Sequence, residues 1–197
     1  FTSLGPSQIS KSNGLIPKFE IRDKSGNSHI EFIMNKGEEL YAQPYYLSYM
    51  DPRINLTTKN RTGMFSTIKR ALFTNTAIFT SVYKSTDNGC KLGFASYLPG
   101  QIISIKIKPG EEFIIKQSTI IAMTKNVNIS TSMKISGFII SEDIFCVRVY
   151  IDENSKEDGM FWLAPYGGYE KMKLAHGESM IVDNGMFLCI NRERTFT

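Results

Sequence analysis

Apolar residues along this chain come in short runs, and turn residues separate the runs every eight to twelve positions. Phe19-Glu-Ile21 and Ile30-Glu-Phe32 alternate apolar and polar, and Gln101-Ile-Ile-Ser-Ile-Lys-Ile107 does so over its second half. Phe145-Cys-Val-Arg-Val-Tyr-Ile151 puts Phe145, Val147, Val149 and Ile151 on one face. Successive side chains of a strand leave opposite faces, so this period of two predicts half-buried strands. Lys24-Ser-Gly26, Asn35-Lys-Gly37, Asp87-Asn-Gly89, Pro99-Gly100, Pro109-Gly110, Asp158-Gly159 and Gly167-Gly168 supply turns between the runs. Helical spacing occurs at Phe65, Ile68 and Leu72, so at most one short helix is predicted, near 65–72. The pattern predicts an all-β fold, closed or sandwiched.

A repeat refines that prediction. Gly37-Glu-Glu-Leu-Tyr, Gly110-Glu-Glu-Phe-Ile and Gly177-Glu-Ser-Met-Ile recur along the chain, and their surroundings keep register. Met34, Ile107 and Leu174 stand at the same offset before the glycine; Phe32, Ile105 and Met172 stand two residues earlier. Met50, Met123 and Ile190 share an offset after it. Glycine suits a turn that needs positive φ, and the acidic residue after it can accept backbone N–H groups of the turn. Each unit then exposes an apolar face that only its neighbours can cover. The expected architecture is a pseudo-threefold repeat of antiparallel β units forming a β-prism or sandwich. Residues 1–16, polar and rich in Gly and Ser, read as a flexible N-terminal arm. Residues 17–194 read as one globular β domain of about three internal repeats turning at Gly37, Gly110 and Gly177. Trp162 is expected in the core.

Composition removes several classes. The 197 residues are 42% hydrophobic, with 13 Phe and 9 Tyr, which is incompatible with intrinsic disorder. Three scattered cysteines, Cys90, Cys146 and Cys189, do not make a disulfide framework. The longest uncharged windows are too short and too polar for a transmembrane segment, so none is expected.

The order of motifs resembles the family named for altered inheritance of mitochondria protein 24. The matching stretches are Gly37-Glu-Glu through Met50, the basic Ile68-Lys-Arg-Ala-Leu72, and Leu92-Gly-Phe-Ala-Ser-Tyr-Leu-Pro-Gly-Gln101. They continue with Gly110-Glu-Glu-Phe-Ile, Ile121-Ala-Met and Leu174-Ala-His-Gly-Glu-Ser-Met-Ile-Val-Asp183, spanning about residues 17–191. Two departures affect loops: only Gly63 remains of the glycine-rich stretch before Lys69-Arg70, and residues 152–159 form a longer, more charged segment than the family's tight turn. The resemblance implies a fold like the trp RNA-binding attenuation protein. For the eukaryotic branch it implies mitochondrial residence, inner-membrane associated or in the matrix, and a role in inner-membrane organisation. A bacterial-type cytoplasmic relative stays open, and no enzymatic activity attaches to the family.

Catalytic chemistry finds little support in the residues. His29 and His176 lie in no zinc-ligand spacing, and His176 reads as a solvent-facing turn residue. Cys146 and Cys189 alternate within strands as core thiols do, and no nucleophile elbow or phosphate-cradling glycine motif occurs. Glu38/Glu39 and Glu111/Glu112 are adjacent, and adjacent residues on a strand point to opposite faces, so the pairs are poorly built to share a proton and a turn-stabilising role is expected. The expectation is a protein that is not an enzyme, with no cofactor and no metal.

Charge is unevenly spread. Between Pro52 and Gly110 stand nine basic residues and one acid, a local net of +8 in a chain of net +4. Lys59, Arg61, Lys69 and Arg70 are the candidate contact for an anionic partner, with Met64 and Phe65 between them. Tyr45 and Tyr49, in a cluster with Tyr41, Tyr46 and Met50, are the candidate assembly contact. The leading expectation is a non-enzymatic scaffold acting through protein contacts in the mitochondrion, in inner-membrane organisation or complex assembly. Protein partners or a homo-oligomer are expected, with an anionic membrane surface as a further partner. The alternative is an RNA-binding module or a component of a mitochondrial ribonucleoprotein associated with the ribosome.

Overall fold

A computed structural model describes residues 8–9, 14–24, 26–60, 79–130 and 146–192. The helix expected near 65–72 lies outside the described residues, as do Arg61, Lys69 and Arg70.

Among the described residues the chain is antiparallel β structure with two single-turn 3-10 segments, Pro44–Tyr46 and Gln117–Thr119. The strands are β1 (Gln8–Ile9), β2 (Lys18–Lys24), β3 (Asn27–Met34), β4 (Glu39–Ala42), β5 (Leu47–Met50), β6 (Ile54–Asn60), β7 (Phe79–Ser85) and β8 (Cys90–Ala95). Then come β9 (Ile103–Ile107), β10 (Glu112–Lys116), β11 (Ile120–Thr124), β12 (Asn128–Ser130), β13 (Cys146–Tyr150), β14 (Gly159–Leu163) and β15 (Cys189–Arg192). They form three sheets, ordered β1-β2-β3-β8-β5, β6-β7-β4-β11-β14-β9 and β12-β13-β10-β15. The all-β expectation holds. The N-terminal stretch read as an arm contributes β1, which pairs with β2, and Leu15 and Ile16 are buried.

The middle sheet supplies side chains to two separate cores. Leu40, Ala42, Tyr83, Ile121 and Trp162 pack with Phe19, Phe32 and Phe94 of the first sheet. From the same strands, Met123, Phe161 and Leu163 pack with Phe113, Val147 and Val149 of the third. A sheet buried on both faces has no polar side to alternate with, which is why Ile120-Ile-Ala-Met and Phe161-Trp-Leu read as unbroken apolar runs. Trp162 is fully buried and meets Phe19 and Phe32 edge-on at 5.2 and 4.8 Å.

The three Gly-Glu turns share one construction. Gly37, Gly110 and Gly177 have φ of 86, 81 and 83°, a region that side chains with a Cβ rarely enter. Backbone bonds run from Glu38 N to Asn35 O, Glu111 N to Lys108 O and Glu178 N to Ala175 O, at 3.0, 3.1 and 3.0 Å. In return the carboxylates of Glu38, Glu111 and Glu178 accept from the N–H of Asn35, Lys108 and Ala175 at 2.7, 2.8 and 2.8 Å. The carboxylates therefore close turns, as the sequence pattern predicts.

After the first two turns the same elements follow: a strand, a 3-10 turn and a second strand. Strand β11 pairs with β4 in the register Ala122↔Ala42, Met123↔Tyr41, and β15 pairs with β10 as Cys189↔Ile115, Ile190↔Ile114. These are the same repeat positions. The flanking bonds, Gln43 N to Ile121 O and Lys116 N to Leu188 O, are equivalent too. The third turn departs: no strand is formed by residues 168–188. Met172, Leu174, Met180 and Val182 are 55, 47, 50 and 48% exposed, whereas their counterparts in both earlier copies are buried.

Candidate interaction surface

Among the described strands β5 is an edge of the first sheet, and around it the fold gathers exposed aromatic groups. It follows the Pro44–Tyr46 turn, where proline at the start favours the tight bend. Tyr46 turns inward and its hydroxyl donates to Ser118 O at 2.6 Å, pinning the turn to the equivalent turn of the second copy. Tyr45 packs on the Tyr46 ring with centroids 4.5 Å apart, yet remains 54% exposed. Burial pushes both phenols up, with nearby Tyr97 contributing to each. Tyr97 and Leu98 are exposed on the loop after β8, and Met50 and Tyr49 on β5.

Tyr49 is held by a cross-strand row. Glu20, Glu31, Gly93 and Tyr49 are successive partners across β2, β3, β8 and β5. Gly93 leaves room above the sheet: a Cβ there would lie 2.5 Å from two atoms of the Tyr49 ring and 2.9 Å from His29 Nε2. The ring crosses this gap, stacks on His29 at 5.4 Å, and its hydroxyl donates to Glu31 Oε2 at 2.6 Å. Burial first, then that hydrogen bond, pushes the Tyr49 phenol up to about 12. Glu31 is itself buried, with Arg22 and Lys91 at 3.5 and 3.6 Å to balance it. His29 Nε2 is buried without a hydrogen-bond partner, and burial holds the imidazole below its ordinary value despite the nearby Glu31 carboxylate. The sequence pattern singled out Tyr45 and Tyr49; it did not single out Glu31 or Gly93. The signal was there in Leu92-Gly-Phe, since glycine inside a strand marks a close approach.

The basic stretch fares differently. Lys59 lies on β6 opposite Thr80. Several other cations of the stretch are paired: Arg53 with Asp51 and with Asp87, the stretch's own acid, at 2.8 Å each, and, with acids from outside it, Lys84 with Glu39 at 2.8 Å and Lys106 with Asp158 at 2.7 Å. With Lys91 on Glu31, the fold neutralises much of what the sequence concentrates.

No group of three or more potential metal ligands occurs among the described residues, and His176 is exposed in its turn. Cys146 is buried and Cys189 half-buried; burial raises both thiols, Cys189 to about 12. An open hollow of about 600 Å³ beside Arg148, Tyr150, Asp152 and Glu153 holds no histidine, cysteine or serine. No helix among the described residues is long and apolar enough to cross a membrane.

The family described as mitochondrial biogenesis AIM24 matches residues 19–197, almost the whole chain. The chain belongs to this family. Membership connects it with mitochondrial biogenesis. Among solved structures, protein SPYM3_0169 from Streptococcus pyogenes is similar, at 21% identity and a TM-score of 0.66 over 89% of this chain and 76% of that one. That likeness is one of fold. No curated protein matches the sequence.

Proposed function

We propose that this AIM24-family chain is a non-enzymatic scaffold that works through protein contacts in the mitochondrion, in inner-membrane organisation or complex assembly. The observation that carries this reading is the β5 edge, where Tyr49 and Met50 on the strand, Tyr45 in the turn before it and Tyr97 and Leu98 on the loop after β8 are exposed. Exposed tyrosine and methionine around a strand edge form a contact surface, because both are enriched at interfaces and tyrosine buries large area at low entropic cost. The edge itself offers unpaired backbone groups for strand addition.

The test is immunopurification of the native chain from mitochondria under mild salt, beside a Tyr45→Ser/Tyr97→Ser variant. The scaffold reading expects a defined set of inner-membrane or respiratory-complex proteins with the native chain and their loss with the variant. Identical captures from both chains would overturn it. So would recovery of ribosomal RNA with a steep dependence on salt, which belongs to the ribonucleoprotein reading.

A further inference from the structure

Among the described residues the third Gly-Glu hairpin and the β5 edge both lack the pairing that the repeat predicts, and the repeat relates one to the other. In the first two copies the strand after the Gly-Glu turn receives the second strand of the next copy. This happens twice in one register, β4 with β11 and β10 with β15. Carried to the third hairpin, the same register sets Val182 opposite Tyr49 and Ile181 opposite Met50. Asp183 N would then donate to Ser48 O, as Gln43 N does to Ile121 O and Lys116 N to Leu188 O.

Neither half of that pairing is made among the described residues. β5 pairs with β8 alone among the described strands. Backbone bonds hold the chain at either end of the hairpin: Gly167 N donates to Pro99 O before it, and Lys116 N donates to Leu188 O after it, at 2.8 and 2.9 Å. Between them run local turn bonds, Glu178 N to Ala175 O within the hairpin, and Met186 N and Phe187 N to Asp183 O just after it. Ile181 is fully exposed, and Met172, Leu174, Met180 and Val182 are about half exposed at positions that are core in the earlier copies.

We infer that the hairpin formed by residues 169–183 docks as an added strand on the β5 edge of a second copy of this chain, in the register Val182↔Tyr49 and Ile181↔Met50. The occupant is a second copy because the chain carries both complementary halves in the register it uses twice internally, while among the described strands its own β5 pairs with β8 alone. Docking continues the first sheet to the order β1-β2-β3-β8-β5-hairpin and covers Tyr49 and Met50 together with the exposed Met180 and Val182. This inference concerns homotypic assembly of the purified chain: the docked hairpin takes the β5 backbone edge with Tyr49 and Met50, and Tyr45, Tyr97 and Leu98 stay for the contacts of the scaffold reading.

The experiment mixes full-length Met50→Cys chains with tagged full-length Ile181→Cys chains under mild oxidation. Opposed residues of a hydrogen-bonded antiparallel pair stand about 5.5 Å apart at Cα, within disulfide range. The mixture should give a tagged–untagged covalent dimer at least tenfold above either chain alone. Substituting Val182→Cys for Ile181→Cys slips the register by one, turns the thiol to the other face and should abolish the product. Sedimentation of the unmodified chain should show a concentration-dependent dimer or larger assembly, weakened at least tenfold by Ile181→Lys with the melting temperature of the protomer unchanged. A monomer at all concentrations with no mixed cross-link overturns the inference. A chain carrying both cysteines that closes only on itself overturns it as well.

Discussion

Gly93→Ala is the most informative single perturbation of the β5 surface. The added methyl would sit 2.5 Å from Cε1 and Cζ of Tyr49 and 2.9 Å from His29 Nε2, against an ordinary contact of about 3.5–4 Å. The ring must therefore move by about 1 Å or more. Movement on that scale breaks the 2.6 Å bond from the Tyr49 hydroxyl to Glu31, leaving a buried carboxylate with one donor fewer. Overpacking costs about 1–3 kcal/mol, and a lost bond to a charged group about 1.5–3 kcal/mol. The sum, about 2.5–6 kcal/mol, lowers the melting temperature by roughly 5–25 °C for a chain of this size. The assay is thermal and urea unfolding of Gly93→Ala, Tyr49→Ala and the double variant. With the ring gone the two closest contacts vanish and only His29 Nε2, at 2.9 Å, remains to give way, so Gly93→Ala in the Tyr49→Ala background should cost under about 1 kcal/mol. The coupling energy should then exceed about 1.5 kcal/mol. Additive effects, or a Gly93→Ala chain as stable as the native one, would refute the reasoning.

Other outcomes follow from the same structure. Burial lowers the His29 pKa on folding, so the unfolded chain binds the proton more readily. Stability should be constant above about pH 7.5, fall as pH drops through the ordinary imidazole value near 6.5, and level off below the folded value; His29→Gln should flatten that part of the curve in urea titrations. Glu38→Ala opens a turn whose carboxylate is buried and should cost about 1–2 kcal/mol by urea unfolding. The same change at exposed Glu178 should stay within about 0.5 kcal/mol. Gly100→Ala would put a methyl 2.2 Å from Pro165 O, a backbone atom that cannot rotate away, and should cost about 3 kcal/mol or more in the same assay. Because burial raises the Cys146 and Cys189 thiols, both should resist a disulfide reagent at pH 8 until denaturant is added.

Much of this molecule is determined locally and could be read from the chain. Period-two alternation at Ile30, Phe32 and Met34 names strand and buried face together, because side-chain direction follows from backbone geometry alone. The Gly-Glu signature names the turn and the role of its carboxylate, because every atom of that motif lies within three residues. Family membership rests on the same ordered motifs. Tertiary structure decided the rest. Charge crowded between Pro52 and Gly110 reads as a basic region, but Lys84, Lys91 and Lys106 meet acids that are distant in sequence, and Coulomb energy depends on distance in space. The repeat suggests three equal units, yet Phe32 and Ile105 are buried while Met172 is exposed, because burial depends on what covers a face. Tyr49 could be named from its position in an aromatic cluster. Its seat over Gly93 and its bond to Glu31 needed three strands brought side by side, a neighbourhood that no local pattern encodes.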